Sequence, residues 1–282
     1  MATEQVASEL RKIHGPSALG GGTRRFWDLL YLISVTEFKK TYFGTVLGYF
    51  WSLLRPLLLF GVLLFVFTKI FRVGSQVEHY PVLLLFNIVL FGLFQEATTQ
   101  AVGSVVGQEG IVRKTQFPRL VIPLSIVFTS LFNFAVNLIA VVVFMVAFQI
   151  EPTWTWLFFP VIVVVLFGLT CATSMLLSSL YVRYRDVAII WGVLSTALFY
   201  ATPVLYPFEF VPDTYRQLLT LNPLTPLFAE ARKLVIDPSA PSAVEAVGGW
   251  THLIPSVLIA VALCVTAVWY FNRQAPRVAE EL

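Results

Sequence analysis

Residues 111–123 read Ile-Val-Arg-Lys-Thr-Gln-Phe-Pro-Arg-Leu-Val-Ile-Pro, setting Arg113, Lys114 and Arg119 around one ring, Phe117, and Pro118. Three cations and one apolar anchor between two long apolar runs suit docking to another protein, where a motor could meet the chain. The chain carries no motor of its own. A phosphate-cradling loop needs G-x-x-x-x-G-K-[ST]; Lys114 precedes a Thr but follows Arg113, and no Gly-Lys pair occurs. Work driven by ATP and magnesium therefore requires an ATPase on a separate chain. Bond-making chemistry has no better footing. His14, His79 and His252 lie in separate segments and the acids are dispersed, so no acid–base pair, nucleophile or metal-ligand cluster is spaced for use. No catalytic residue, metal or cofactor is expected in this chain.

The elements that would present these cations follow from composition. Of 282 residues, 57% are hydrophobic and 12% charged, with mean hydropathy +0.80. A soluble domain carries roughly twice that charge fraction. The chain is expected to be an all-α integral membrane protein. The net charge of +3 is spread over short loops and is no nucleic-acid footprint. Cys171 and Cys264 lie inside apolar runs and read as packing residues.

A spanning helix needs about 20 mostly apolar residues. Six stretches qualify, roughly 53–71, 82–106, 121–148, 154–180, 187–206 and 252–271. With the N-terminus in the cytoplasm, 14 Lys and Arg residues fall inside and 5 outside, so both termini are predicted to be cytoplasmic. Residues 1–24 are a polar tail without a signal-peptide core, 25–272 the membrane domain and 273–282 a second tail. Trp51, Trp154, Trp156, Trp250 and Trp269 fall near span ends, as an interfacial belt requires. Before the first span, Phe26, Leu29, Leu30 and Ile33 share one helical face opposite Asp28 and Lys39. This reads either as an amphipathic helix on the cytoplasmic leaflet or as an extension of the first span. Gly44 and Gly48, like Gly103 and Gly107, have the spacing that permits close helix approach.

Two regions break the apolar pattern. The second span is apolar from Pro81 to Phe94 but then carries Gln95, Glu96, Thr98, Thr99, Gln100 and Ser104. Polar groups at that depth avoid lipid, so Gln95, Glu96 and Thr99 either bond to neighbouring helices or line a wet path. The segment 207–250 is too long for a loop and too broken for a span. Pro203 and Pro207 around Tyr206 end the fifth helix, and Asn222-Pro223 makes a second break. Short helices dipping into the outer leaflet, or a cap lying on it, would both satisfy the composition.

Five ordered motifs carry a resemblance: Tyr42-Phe43-Gly44 through Gly48-Tyr49-Phe50-Trp51 with Arg55-Pro56; Arg113-Lys114 with Phe117-Pro118-Arg119 and Pro123-Leu124; Tyr181 with Arg183-Tyr184-Arg185-Asp186-Val187; Thr202-Pro203-Val204 with Tyr206-Pro207; and Asn222-Pro223-Leu224. Together they resemble the permease subunit of polysaccharide-exporting ABC transporters, the family of O-antigen, teichoic-acid, capsule and cell-wall glycan exporters, over residues 25–272. The resemblance implies a homodimer of six-span subunits in a bacterial inner or plasma membrane, above two copies of a cytoplasmic ABC ATPase. It implies export of a glycan on a polyprenyl pyrophosphate. Residues 26–42 would be the interface helix, 109–119 the coupling helix and 208–234 re-entrant gate helices, with Pro203, Tyr206, Pro207, Asn222 and Pro223 at the outer gate. Arg55 departs from the uncharged polar residue expected before the Pro.

A lipid pyrophosphate needs cations at the inner face, and Arg offers bidentate geometry. Arg24, Arg25, Lys39, Lys40, Arg55, Arg183 and Arg185 are candidates; topology or contact with anionic membrane lipids would place the same residues there. An ATP-independent flippase is the rival reading, but it should show internal repeats and more intramembrane charge. A membrane-embedded transferase would need clustered acids or His near one face.

Overall fold

The computed structural model describes residues 23–42, 48, 50–72, 77–108, 110 and 118–274. Among them every regular element is helical. In chain order these are α1 (Thr23–Tyr42), α2 (Phe50–Phe65, continued by a π turn over Val66–Ile70), α3 (Tyr80–Val102) and α4 (Ser104–Gly107). There follow α5 (Val121–Ala147), α6 (Phe159–Arg183, preceded by a 3₁₀ turn over Trp154–Phe158), α7 (Val187–Ala201), α8 (Asp213–Thr220), α9 (Leu224–Val235), α10 (Ala243–Ala246) and α11 (Trp250–Gln274).

Five helical stretches are long and apolar enough to cross a membrane: Phe50–Ile70, Tyr80–Val102, Val121–Ala147, Trp154–Arg183 and Trp250–Gln274. The sixth expected stretch, 187–206, stops early. Helix α7 has 15 residues and ends at Ala201, because Pro203 disfavours helical backbone just before it. At 1.5 Å per residue it reaches about 22 Å, short of a hydrocarbon core of about 30 Å.

Helix α3 is the hub. It packs against α2, α5, α6 and α7, and 78% of its membrane-length window is buried, against 6% for the Phe50–Ile70 stretch and 11% for α11. Pro81 sits in its first turn, where a missing N–H costs nothing. Leu84, Leu85, Leu90, Phe86 and Phe91 fill the core around it. In lipid such packing rests on close van der Waals contact, since lipid tails are as apolar as leucine. The polar residues along the spans are tolerated because their hydroxyls fold back onto their own helices: Ser125 donates to the Ile122 carbonyl, Thr170 to Leu166 and Thr173 to Leu169.

Helix α1 lays its apolar face on protein. Phe26 and Leu30 are buried with Val105, Val121, Ile122 and Val182, while Leu29 and Ile33 pack at the margin. The Thr129 hydroxyl on α5 donates to the Ser34 carbonyl at 3.2 Å. Trp27, Tyr31 and Leu32 remain exposed. The Gly103/Gly107 spacing does not serve close approach. Gly103 separates α3 from α4, a Cβ there would meet only Tyr181 at an ordinary 3.9 Å, and one at Gly107 would meet nothing within 4 Å.

Candidate functional site

The two ends of α3 hold different chemistry. At the basic end, α1 presents Arg24 and Arg25 to the surface, and the α6–α7 turn presents Arg183 and Arg185, while Lys39 is exposed further along, next to Phe38, whose ring meets Phe132 on α5. The side chain of Lys40, and all of Arg113, Lys114 and Phe117, lie outside the described residues. Arg183 stacks over Tyr184 at 5.4 Å and Arg185 over Tyr181 at 5.0 Å, fixing two guanidinium planes on aromatic faces. Pro118 and Arg119 are buried, Arg119 with only 4% exposure. That burial lowers the guanidinium pKa from its ordinary value. One guanidinium nitrogen, Nη1, has no hydrogen-bond partner.

Midway along α3, Glu96 accepts a 2.7 Å hydrogen bond from Asn133 Nδ2 on α5 and a 3.1 Å bond from Gln100 Nε2. Arg55 is exposed on α2. Asn133 Oδ1, Asn137 Oδ1 and Ser130 Oγ, all on α5, are buried without partners. Gln95 is half-buried, while Thr99 and Gln100 face outward. The polar inner half of α3 thus does two things: Glu96 clasps α5, and Thr99 and Gln100 are left on the surface.

At the proline-rich end the chain leaving α7 is fastened to α3. Asn87 Nδ2 donates to the Pro203 carbonyl at 3.1 Å and to that of Val204 at 3.3 Å. The Tyr80 hydroxyl donates to the Leu205 carbonyl at 2.8 Å. These bonds satisfy carbonyls that a proline-broken helix leaves open. Asn222 Nδ2 donates to Thr202 Oγ1 at 2.8 Å, and Asn222 Oδ1 accepts from the Leu224 N–H, so Asn222 ties the start of α9 to the end of α7. Tyr206 donates to the Tyr200 carbonyl at 2.9 Å. Pro203 and Pro207 are buried; Tyr206, Asn222 and Pro223 are half-buried.

The charges here are paired with each other. Arg232 makes a two-pronged contact with Glu209, at 2.8 and 3.0 Å, and a third bond to Asp237 at 3.2 Å. Its side chain is only 15% exposed, so it anchors the two acids from within the fold. Burial alone would raise the Asp237 carboxyl, but hydrogen bonds from Ser239 and the charge of Arg232 bring it net below its ordinary value. Lys233 lies 3.4 Å from Glu245, which caps α10 together with Ser242. Glu230 accepts from the Ala243 N–H. The cavity left between α3, Pro203, Tyr206, Phe228 and Arg232 holds about 20 Å³, room for one water.

Asn87 is the tie to the segment after α7 that the sequence pattern conceals. A single Asn within 81–94 does not alter the hydropathy of the run, and its partners lie more than a hundred positions away.

Residues 28–236 match the family model described as ABC-2 type transporter. The chain is 29% identical over 257 residues to O-antigen export system permease protein RfbA of Klebsiella pneumoniae, covering 91% of this chain and 95% of that one. It is 30% identical over 221 residues to the protein of the same name from Myxococcus xanthus, covering 78% and 84%. Polysialic acid transport protein KpsM of Escherichia coli is 22% identical over 208 residues, covering 70% and 77%.

Proposed function

The chain belongs to the ABC-2 type transporter family, and we propose that it is the membrane-spanning permease subunit of an ATP-driven polysaccharide exporter in a bacterial inner or plasma membrane. The near full-length similarity to O-antigen export permeases carries this reading and supplies the substrate class. In this proposal two copies of the chain form the path, and two copies of a cytoplasmic ABC ATPase dock on residues 109–119 and supply ATP and magnesium. The cargo is a glycan on a polyprenyl pyrophosphate. Arg24, Arg25, Lys39, Lys40, Arg55 and Arg185 are the cations that would receive the diphosphate.

The basic end then faces the cytoplasm, with α1 at the interface and both termini inside. Helix α7 and the chain that follows it make the fifth of six crossings, and α8 and α9 are the re-entrant pair of the outer gate. Two features support a gate rather than a fixed cap. The pair follows a proline-broken segment held by side-chain bonds, Asn87 and Tyr80 to the 203–205 backbone and Asn222 to Thr202, instead of a continuous helix, and the space beneath it is water-sized, which would keep the bilayer sealed between transport cycles.

The experiment is purification of the tagged chain from its native membrane, combined with deletion of its gene. An ATPase should co-purify at one copy per permease, and the deletion strain should accumulate lipid-linked glycan on the inner face. Export that persists without the gene, or a purified chain that flips the lipid without any ATPase, would overturn the proposal. Single cysteines placed in a background lacking Cys171 and Cys264 test the orientation. Outside reagent should label Thr153→Cys and Ser239→Cys and miss Thr115→Cys and Ala279→Cys; label at position 115 would reverse it.

A further inference from the structure

At the basic end the last turns of α6 and α11 enclose a notch of about 280 Å³ lined by Leu180, Arg183, Tyr184, Trp269, Tyr270, Arg273 and Gln274. Its chemistry is unbalanced. Arg183 rests over Tyr184 and Arg273 over Trp269, each guanidinium 5.4 Å from the ring centre. Neither has a carboxylate partner among the described residues. Between them Gln274, only 7% exposed, donates through Nε2 to the Tyr270 hydroxyl at 3.1 Å. Its carbonyl oxygen, Oε1, is buried without any partner. A buried acceptor left open costs about 1–3 kcal/mol, so the site asks for a donor as well as an anion.

We propose that this notch binds the headgroup of a bilayer phospholipid of the phosphatidylglycerol class, a phosphodiester bearing a free hydroxyl. The two guanidiniums match the phosphodiester oxygens, and the headgroup hydroxyl donates to Gln274 Oε1. An ammonium headgroup could also donate, but it would sit beside two guanidiniums and be repelled. Trp269 is 58% exposed and flanks the notch at the level where indole rings prefer the headgroup region of a bilayer. The notch is several times the roughly 30 Å³ of one water, enough for a phosphate and a three-carbon headgroup. The inference rests on the chain being a membrane protein and not on the identity of its cargo.

The test uses the full-length chain in nanodiscs, released into detergent and weighed by native mass spectrometry. Phosphatidylglycerol should be retained in preference to phosphatidylethanolamine and to phosphatidylmethanol, which has the same charge but no hydroxyl. Replacing exposed Arg273 by Gln should weaken retention of phosphatidylglycerol about tenfold, the loss of one charge-assisted hydrogen bond. Gln274→Leu should leave anionic lipids bound but erase the preference over phosphatidylmethanol. Equal retention of all three lipids by the unaltered chain would overturn the proposal, and that comparison needs no variant to fold. Displacement by millimolar inorganic phosphate would reassign the notch to a free anion, and displacement by a polyprenyl-pyrophosphate glycan alone would make it part of the cargo path; either outcome defeats the lipid assignment.

Discussion

The two ends of the molecule treat charge in opposite ways. At the proline-rich end Arg232 holds Glu209 and Asp237, Lys233 lies against Glu245, and Asn87 and Tyr80 tie down a broken backbone. At the basic end Arg183 and Arg273 lean on aromatic rings, while Arg119 Nη1, Gln108 Oε1 and Gln274 Oε1 are buried without partners. The proline-rich end pairs its charges within a single chain, although the uncharged Asn87 Oδ1 and Trp156 Nε1 are buried there without partners. The basic end leaves cations without carboxylate partners, and an open buried polar group is costly until something bonds to it. The contrast separates a closure that the fold makes for itself from a surface that waits for partners.

The largest expected effect tests the waiting end. Phe117 lies outside the described residues; in the proposed function its place between Arg113 and Arg119 makes it the apolar anchor of the docking segment. Phe117→Asp would bury an unpaired charge against the ATPase and should weaken their association at least about a hundredfold, roughly 3 kcal/mol. Pull-down of the ATPase and glycan-dependent ATP hydrolysis measure it, with membrane insertion as the control. A complex that still forms and exports would show that the basic end does not depend on this segment.

The next effect falls on the closed end. Arg232→Met keeps the bulk of the side chain but leaves Glu209 and Asp237 without their cation. A fully buried pair broken this way costs about 3–5 kcal/mol; here partial exposure reduces the figure to roughly 1–3 kcal/mol. Thermal unfolding in nanodiscs should show the loss, and Arg232→Lys should recover part of it. If the Met variant melts with the unaltered chain, the outer end is held by packing alone and the contrast between the ends weakens.

Asn87→Leu sharpens the same point locally. It removes the donor to the Pro203 and Val204 carbonyls and should cost about 1–2 kcal/mol. Hydrogen exchange at the Val204 and Leu205 amides should speed up, while that of α5 stays unchanged. Exchange rising throughout the molecule would mean that Asn87 supports the whole hub rather than the segment after α7.

Much of this architecture was legible in the amino-acid order. The apolar runs mark α2, α3, α5, α6 and α11 because a bilayer demands continuous hydrocarbon-length segments. The spacing of Phe26 and Leu30 gives the buried face of α1, and Pro203 gives the end of α7. What the order conceals is pairing at a distance. Asn87 bonds to positions 203 and 204, Glu96 to Asn133, and Arg232 to Glu209; a count of charges cannot tell an ion pair from a solvated rim. The order also treats Arg119 as one of three equivalent cations, although the turn at Pro118 carries it into the interior. The same limit applies to α7, whose apolar composition continues past the point where proline stops the helix.

The smallest expected effect is the pH dependence of the closed end. Asp237 has an ordinary pKa of 3.8 and is held below it; Glu245 has an ordinary pKa of 4.5 and is lowered first by its bond from the Ser242 N–H. For a carboxylate whose folded pKa is depressed, the stabilisation is fully present above the unfolded value and disappears as pH falls through the folded one. The window therefore opens near pH 4.5 and extends downward; nothing in these two groups changes stability between pH 6 and 8. Asp237→Asn imitates the protonated acid, so its melting temperature should lie below that of the unaltered chain at pH 7 and converge with it as the pH drops below about 3.8. Melting curves across that range measure the convergence. A gap that stays constant down to the lowest pH would mean that the Asp237 charge contributes nothing, and that Arg232 is held at the closed end by Glu209 alone.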